Sequence, residues 1–289
     1  MAHLTPELER RLTTAVDRMP AFPRSVQKVL ELTRNINCLP KELVGVIEKD
    51  PVMTMKILKV INSAYYSLPN KITSVNQSVV YLGINTIKNL ALAFAAVGIL
   101  PRSNAAGFDI QRYLVHSLAT ATVARQLATS HGGGAADPGD CYIAGLLHDF
   151  GKVVFAQFMA AEFREAMMVT LEKNVPLHEA EREVIGVDHG FVGAMLAKRW
   201  QFPAHLEACI RDHHSAGEGD AMLDCLKVAD QICRGCELDL ESAKARWAEQ
   251  VPAAPARFGD SLEKVAASLG DFDKIVADAA MFVRVDAEK

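Results

Sequence analysis

Residues 143–155 read IAGLLHDFGKVVF. An apolar run, Ile143 to Leu147, leads directly into His148 and Asp149, and apolar residues resume at Phe150 and continue through Val153, Val154 and Phe155. The spacing predicts a buried helix running from about Asp140 towards Phe158, with His148 and Asp149 projecting from the end of its first stretch and Gly151 placed to bend the backbone just beyond them.

Outward from this segment the same period recurs along the whole chain, whereas alternating strand-like runs and hairpin dipeptides are absent. Towards the N-terminus, Val26, Val29, Leu30 and Thr33 share one helical face. Pro51 opens a helix carrying Ile57, Leu58 and Ile61, and proline suits that first turn. Gly83 precedes an apolar helix that ends at about Leu100. The polar break 101–104, with Gly107 soon after, is a candidate boundary between an N-terminal part, 1–105, and a second part, 106–289. In the second part a helix begins near Asp109 and stops at Gly132-Gly133-Gly134. Further helices are expected at 159–173, 178–186, 188–200, 203–214 and 221–235. After the break at 252–255, two more follow at 259–269 and from 271 to about 285. The expected architecture is all-α, a multi-helix bundle.

The chain has 289 residues, half of them hydrophobic and 23% charged, with a formal net charge of −4. This is globular composition, and no Lys/Arg cluster supplies the basic field of a nucleic-acid binder, so nucleic acid is not an expected partner. The opening residues MAHLTPELERRL lack the apolar segment of a secretory signal. The most apolar stretch, Leu90 to Leu100, is shorter than the roughly twenty residues of a membrane span. The expected location is therefore cytoplasmic, away from the membrane. Six cysteines, Cys38, Cys141, Cys209, Cys225, Cys233 and Cys236, do not resemble a disulfide framework in a chain this long. Cys233 and Cys236 form a single CxxC with no second pair to complete a zinc site, which reads as structural thiols.

Five of the nine histidines hold suggestive positions: His116, His148, His189, His213 and His214. Asp149 and Asp230 join them, and imidazole with carboxylate is a usual ligand set for zinc, iron and manganese. Asp230 lies on the apolar side of its helix, one turn from Leu226, and a buried carboxylate is costly unless paired, hydrogen-bonded or metal-bound. His189 shares a face with Val192, Gly193 and Leu196, with Asp188 as the N-cap before it. Taken singly, a histidine on an apolar face usually reads as a satisfied core or boundary residue. Asp149 could simply cap the next segment, and Lys152 could be a surface ion pair of little weight. His3, His131, His178 and His205 are read as ordinary packing or surface residues. What favours a site is the co-occurrence of an HD pair, an HH pair and a late buried Asp in one helical region.

That set resembles the HD superfamily of metal-dependent phosphohydrolases, and more specifically its HDOD branch, the HD-related output domains of bacterial signalling systems. The match is His116, then GLLHDFGKVVF (145–155), DHGFVGAMLAKRWQFP (188–203), IRDHH (210–214) and KVADQ (227–231). MPAFPRSVQKVLEL (19–32), IEKDPVMTMKILKVINSAYYS (47–67) and ITSVNQSVVYLGINTIKNLAL (72–92) are similar to the helical region that precedes the HD-like core in that branch. The resemblance covers roughly 15–235; the tail from 236 has no counterpart.

The resemblance implies an HD-like helical core holding one or two divalent cations, iron, manganese or zinc. His116, His148, Asp149 and Asp230 would hold the first, and His189 and His213 a second. His214 would be a ligand or a donor behind one, and Lys152 would face a substrate phosphate. Two departures narrow it. The His-His pair runs into Ser215-Ala216-Gly217 with no Gly-Tyr-Pro, which argues against a cyclic di-GMP phosphodiesterase. Arg112 stands one turn before His116 where some relatives carry Glu, which argues against a third metal. The implied role is a regulatory output module acting on a signalling partner, a response regulator or sensor, or on a small phosphorylated ligand. The alternatives are an active phosphohydrolase, in which Asp149 also orients the attacking water, and a metal-free helical scaffold.

Overall fold

The computed structural model describes residues 4–22, 24–34, 39–62, 68, 70–101, 103–217, 219–235 and 255–287. Every regular element among them is helical: α1 (Pro6–Arg18), α2 (Arg24–Arg34), α3 (Pro40–Glu48), α4 (Pro51–Ile61), α5 (Val75–Leu82), α6 (Ile84–Gly98), α7 (Ile110–His131), α8 (Pro138–Leu147), α9 (Phe150–Phe158), α10 (Ala160–Lys173), α11 (Leu177–Val184), α12 (His189–Arg199), α13 (Ala204–Asp212), α14 (Ala221–Gly235), a 3-10 turn at Ala256–Phe258, α15 (Leu262–Ser268) and α16 (Phe272–Ala287). None of these helices is long and apolar enough to cross a membrane. Cys38, Cys236 and residues 252–254 lie outside the described residues, so the CxxC reading and most of the 252–255 break go without structural description. The described Cys141, Cys209, Cys225 and Cys233 are buried free thiols.

Two compact units are present. One comprises 21–99 and 276–289. Its core is built from Val26, Val29, Leu43, Ile47, Ile57, Ile61 and Ile87, all fully buried or nearly so. Its helices start where the sequence supplies caps: Asp50 accepts from the Met53 amide at 3.0 Å with Pro51 at the first position, and Ser74 accepts from Gln77. Phe94 of α6 stacks on Phe282 of α16 with centroids 4.3 Å apart.

The other unit comprises 1–20 and 100–275 and carries the candidate site residues. The long α7, capped by Asp109 on the Gln111 and Arg112 amides, lies against α8 and α14. Helix α12, capped by Asp188 on the Phe191 amide, lies against α9 and α13. The end of α1 is held at α12: Arg199 donates to the carbonyls of Asp17 and Met19, each at 2.8 Å, and Trp200 donates to that of Pro20 at 3.1 Å.

The single helix expected from about Asp140 to Phe158 is two helices, α8 and α9, separated at His148 and Asp149. Asp149 sits at φ −94°, ψ 5°, so the chain turns at the HD pair itself rather than after it. Two glycines let these helices approach their neighbours. A Cβ on Gly145 would lie 2.6 Å from the Cα of Ala121 in α7, and one on Gly151 would lie 2.0 Å from the His189 carbonyl oxygen at the start of α12. The first contact sets α8 against the helix that bears His116; the second sets the HD turn against the helix that begins with His189.

Candidate metal centre

The HD turn meets α7, α12, α14 and the end of α13, and each brings one or two candidate side chains. His116 comes from α7, His148 and Asp149 from the turn, His189 from the first position of α12, His213 and His214 from just after α13, and Asp230 from α14. All but the half-buried His214 are almost fully buried.

The donors fall into two sets that share Asp149. On one side, His116 Nε2 lies 3.3 Å from His148 Nε2 and 3.2 Å from Asp230 Oδ1. Asp149 Oδ2 is 3.6 Å from the first imidazole and 3.4 Å from the second, and Asp230 Oδ1 is 3.5 Å from His148. On the other side, Asp149 Oδ1 is 3.0 Å from His189 Nε2 and 3.7 Å from His213 Nε2, while His214 Nε2 is 2.8 Å from His189 Nε2. His116, His148 and Asp149 form one group of potential ligand atoms mutually within 4.8 Å, and Asp149, His189, His213 and His214 form another.

The far nitrogens of three imidazoles are engaged. His148 Nδ1 is 2.8 Å from the Gly145 carbonyl, His213 Nδ1 is 2.6 Å from the Ile210 carbonyl, and His189 Nδ1 is 2.6 Å from Glu181 Oε2. Carbonyl and carboxylate oxygens only accept, so in each ring Nδ1 carries the proton and Nε2 is turned to the centre. This is how metal-binding imidazoles are usually oriented. His116 differs, because its buried Nδ1 finds no hydrogen-bond partner.

In these three rings, His148, His189 and His213, an unprotonated Nε2 facing carboxylate oxygens at 3.0–3.7 Å is an acceptor facing acceptors, so the cluster requires a cation or a proton. Burial alone would push His148 down, but Asp149 and Asp230 outweigh it and lift the imidazole to about 10. At His189 burial likewise opposes, and Glu181 followed by Asp149 lifts it to about 9. Burial would raise Asp149, yet His148 and Lys152 hold it well below the ordinary carboxylate range; Arg234 first, then His116 and His148, do the same for Asp230. His213, by contrast, is pushed by burial to about 4, and its buried Nε2 has no hydrogen-bond partner. Two carboxylates and the Nε2 atoms of His116, His148, His189 and His213, the last of them orphaned, form a donor set that fits a divalent cation of the zinc, iron or manganese kind.

Lys152 is buried rather than on the surface, and its Nζ is 2.9 Å from Asp149 Oδ2. Three neighbours escaped the sequence reading. Glu181, fully buried, accepts from both the ring and the backbone amide of His189. Arg234 forks onto Asp230 with both contacts at 2.9 Å. His178, read as a packing residue, stacks on His214 at 4.0 Å. The spacing held a signal for the last two: Asp230 and Arg234 are an i,i+4 pair, and His178 and Glu181 are an i,i+3 pair on one helical face. His131 and His205 lie elsewhere, beside Phe258 and Asp140, and His3 is outside the described residues.

The family described as HDOD domain matches residues 19–216. The chain is similar to a solved HDOD domain protein of unknown function from Geobacter sulfurreducens, at 25% identity, a TM-score of 0.77, and coverage of 96% of this chain and 99% of that one. It shares its fold, at 22% identity and a TM-score of 0.73, with a protein from Shewanella amazonensis provisionally called a phosphohydrolase, covering 94% of this chain and 98% of that one. An uncharacterised protein of Treponema pallidum is 26% identical over 212 residues, 73% of this chain; the match spans only 40% of that relative's length.

Proposed function

Because the chain belongs to the HDOD domain family, we propose that it is a signal-transduction output module whose HD-type pocket holds one or two divalent cations and acts through a partner protein or a small ligand. The cation on the first side is held by His116, His148, Asp149 and Asp230, and a second by Asp149, His189 and His213, with His214 as a further ligand or a donor behind His189. The observation that carries the reading is the sharing of Asp149. One carboxylate oxygen faces each histidine set, so one residue couples both sides of the pocket.

A second reading, an active phosphohydrolase, draws on the same feature, since a carboxylate shared between two cations suits phosphoester chemistry. A bound divalent cation would lower the pKa of water and polarise a phosphoryl oxygen. In that reading Asp149 orients the water and Lys152 steadies charge on the phosphate. The regulatory reading is preferred for a physical reason. Lys152 already pairs with Asp149, and Arg234 with both oxygens of Asp230. These built-in cations reduce the negative charge the carboxylates offer a metal, and a modestly held ion suits a responsive pocket better than a permanent catalytic one.

Elemental analysis of protein purified without chelator, beside a His148→Ala/Asp149→Ala variant, tests the metal. Near-stoichiometric iron, manganese or zinc that disappears in the variant is the expected result. Absence of metal from both proteins, even after reconstitution, would overturn the metal-binding reading.

A further inference from the structure

Helix α1 turns Leu12, Ala15 and Val16 into the core. Its outer stripe, Glu7, Arg10, Arg11, Thr14 and Arg18, forms one wall of a groove of about 510 Å³. The opposite wall is the junction of α9 and α10, where half-buried Phe158 and buried Met159 stand. All of it lies within the unit formed by 1–20 and 100–275. Phe158 ends the short helix α9 that begins at the HD turn.

Three guanidiniums line this groove against one carboxylate. That carboxylate, Glu7, stands in the first turn of α1, where the helix N-terminus favours negative charge. Arg11 already holds a carboxylate, that of Glu162 in α10, and both side chains are partly exposed. A carboxylate therefore fits this stripe, and an exposed pair of this kind is weak enough to exchange. Arg10 and Arg18 have no carboxylate within ion-pair distance among the described residues. Arg18 lies over the Phe158 ring, 4.7 Å from its centroid. The ring steadies the guanidinium without using its N–H donors, which lie in the guanidinium plane and match the two oxygens of a carboxylate. Eight positions separate Arg10 from Arg18, a span of about 12 Å along the helix axis.

We propose that this groove docks an acidic peptide segment of a partner protein, two of whose carboxylates meet Arg10 and Arg18 while an apolar side chain between them rests on Phe158. Charge complementarity selects this occupant. The chain carries a net charge of −4, so an extended polyanion, whether nucleic acid or anionic bilayer, meets repulsion on either side of the groove. A short acidic segment is instead steered into it. The inference rests on the partner side of the signalling reading, to which it gives a surface and a chemistry, and it needs no cation in the metal centre.

The test is fluorescence anisotropy on the full chain at low ionic strength, since salt screens exposed charges. The probe is a labelled peptide in which glutamate alternates with alanine around one central leucine; the control carries glutamine in place of glutamate. The glutamate peptide should bind and the glutamine peptide should not. Arg10→Ala and Arg18→Ala should each weaken binding about fivefold, the upper range for an exposed charged pair, and the double variant about twenty-fivefold, the two sites acting independently. Glu162→Gln frees Arg11 and should tighten binding about fivefold, the opposite of the loss that a merely structural ion pair would give. Metal content, measured in the same samples, should stay at the wild-type level. Equal binding of the two peptides, or wild-type affinity in the double variant, would overturn the proposal. So would tighter binding, through the same arginines, of phosphatidylserine vesicles or single-stranded DNA. Arginine-dependent peptide binding by a chain that takes up no metal would uphold the groove and overturn the metal reading alone; a metal-loaded chain that ignores the peptide would do the reverse.

Discussion

Asp149 is the residue on which most of the centre depends, because its two oxygens serve two histidine sets while one of them also neutralises Lys152. Replacing Asp149 with Asn should abolish metal uptake on both sides and remove the carboxylate charge 2.9 Å from the buried Lys152 ammonium, a loss of about 3–5 kcal/mol; denaturant unfolding of the metal-free variant measures it. Glu181→Gln keeps the shape but removes the charge behind His189, and affinity for the second cation should fall about tenfold or more, read by competition with a chelating dye. The raised histidines give a pH signature. In the metal-free protein His148 at about 10 and His189 at about 9 both lie above the unfolded value near 6.5. Their contribution to stability is therefore complete below pH 6.5 and is lost as pH rises through 9 to 10. At pH 7 a cation must displace those protons, so metal titrations in buffers of different ionisation enthalpy should reveal proton release. A heat independent of buffer would contradict this. At this scale His116, His148, Asp149 and Asp230 were legible because a histidine or carboxylate in an apolar run is conspicuous. Glu181 was not, because in Glu179-Ala180-Glu181-Arg182-Glu183 it resembles any charged exposed turn, and its burial follows only from how α11 meets α12.

At the scale of elements, helix starts were readable at Asp109 and Asp188, where a side chain satisfies free amides. The break between α8 and α9 was not. Residues 141–156 are buried throughout, so the apolar pattern runs on with no change of phase to mark a turn. The turn is imposed from outside, by the approach of Gly145 to α7 and of Gly151 to α12. Gly151→Ala therefore tests whether that approach shapes the site. The added methyl meets backbone rather than a yielding side chain, so destabilisation of about 1–3 kcal/mol or more is expected, together with weakened metal uptake. Retention of full stability and metal content would show that the α9–α12 contact is slack.

At the scale of the molecule, periodicity and the absence of strand signals sufficed for an all-helical architecture. The division of the chain is less visible in sequence, because one unit is assembled from segments far apart: 1–20 belongs with 100–275. Hydrogen exchange gives a molecular prediction. A cation held by the proposed ligands would tie α7, α9, α12 and α14 together, so manganese should slow exchange in those helices, and chelation should reverse the protection. Protection spread evenly over all helices would point to a nonspecific effect. The clasp at the end of α1 joins residues about 180 positions apart in the chain. Three of its contacts end on carbonyl oxygens, which every amino acid offers, and one side chain of that segment adds to them, the Asp17 carboxylate 3.4 Å from Arg199 Nε. The three carbonyl bonds survive a change of side chain at 17, 19 or 20, whereas each is lost with Arg199 or Trp200; the join tolerates change from one side more than from the other.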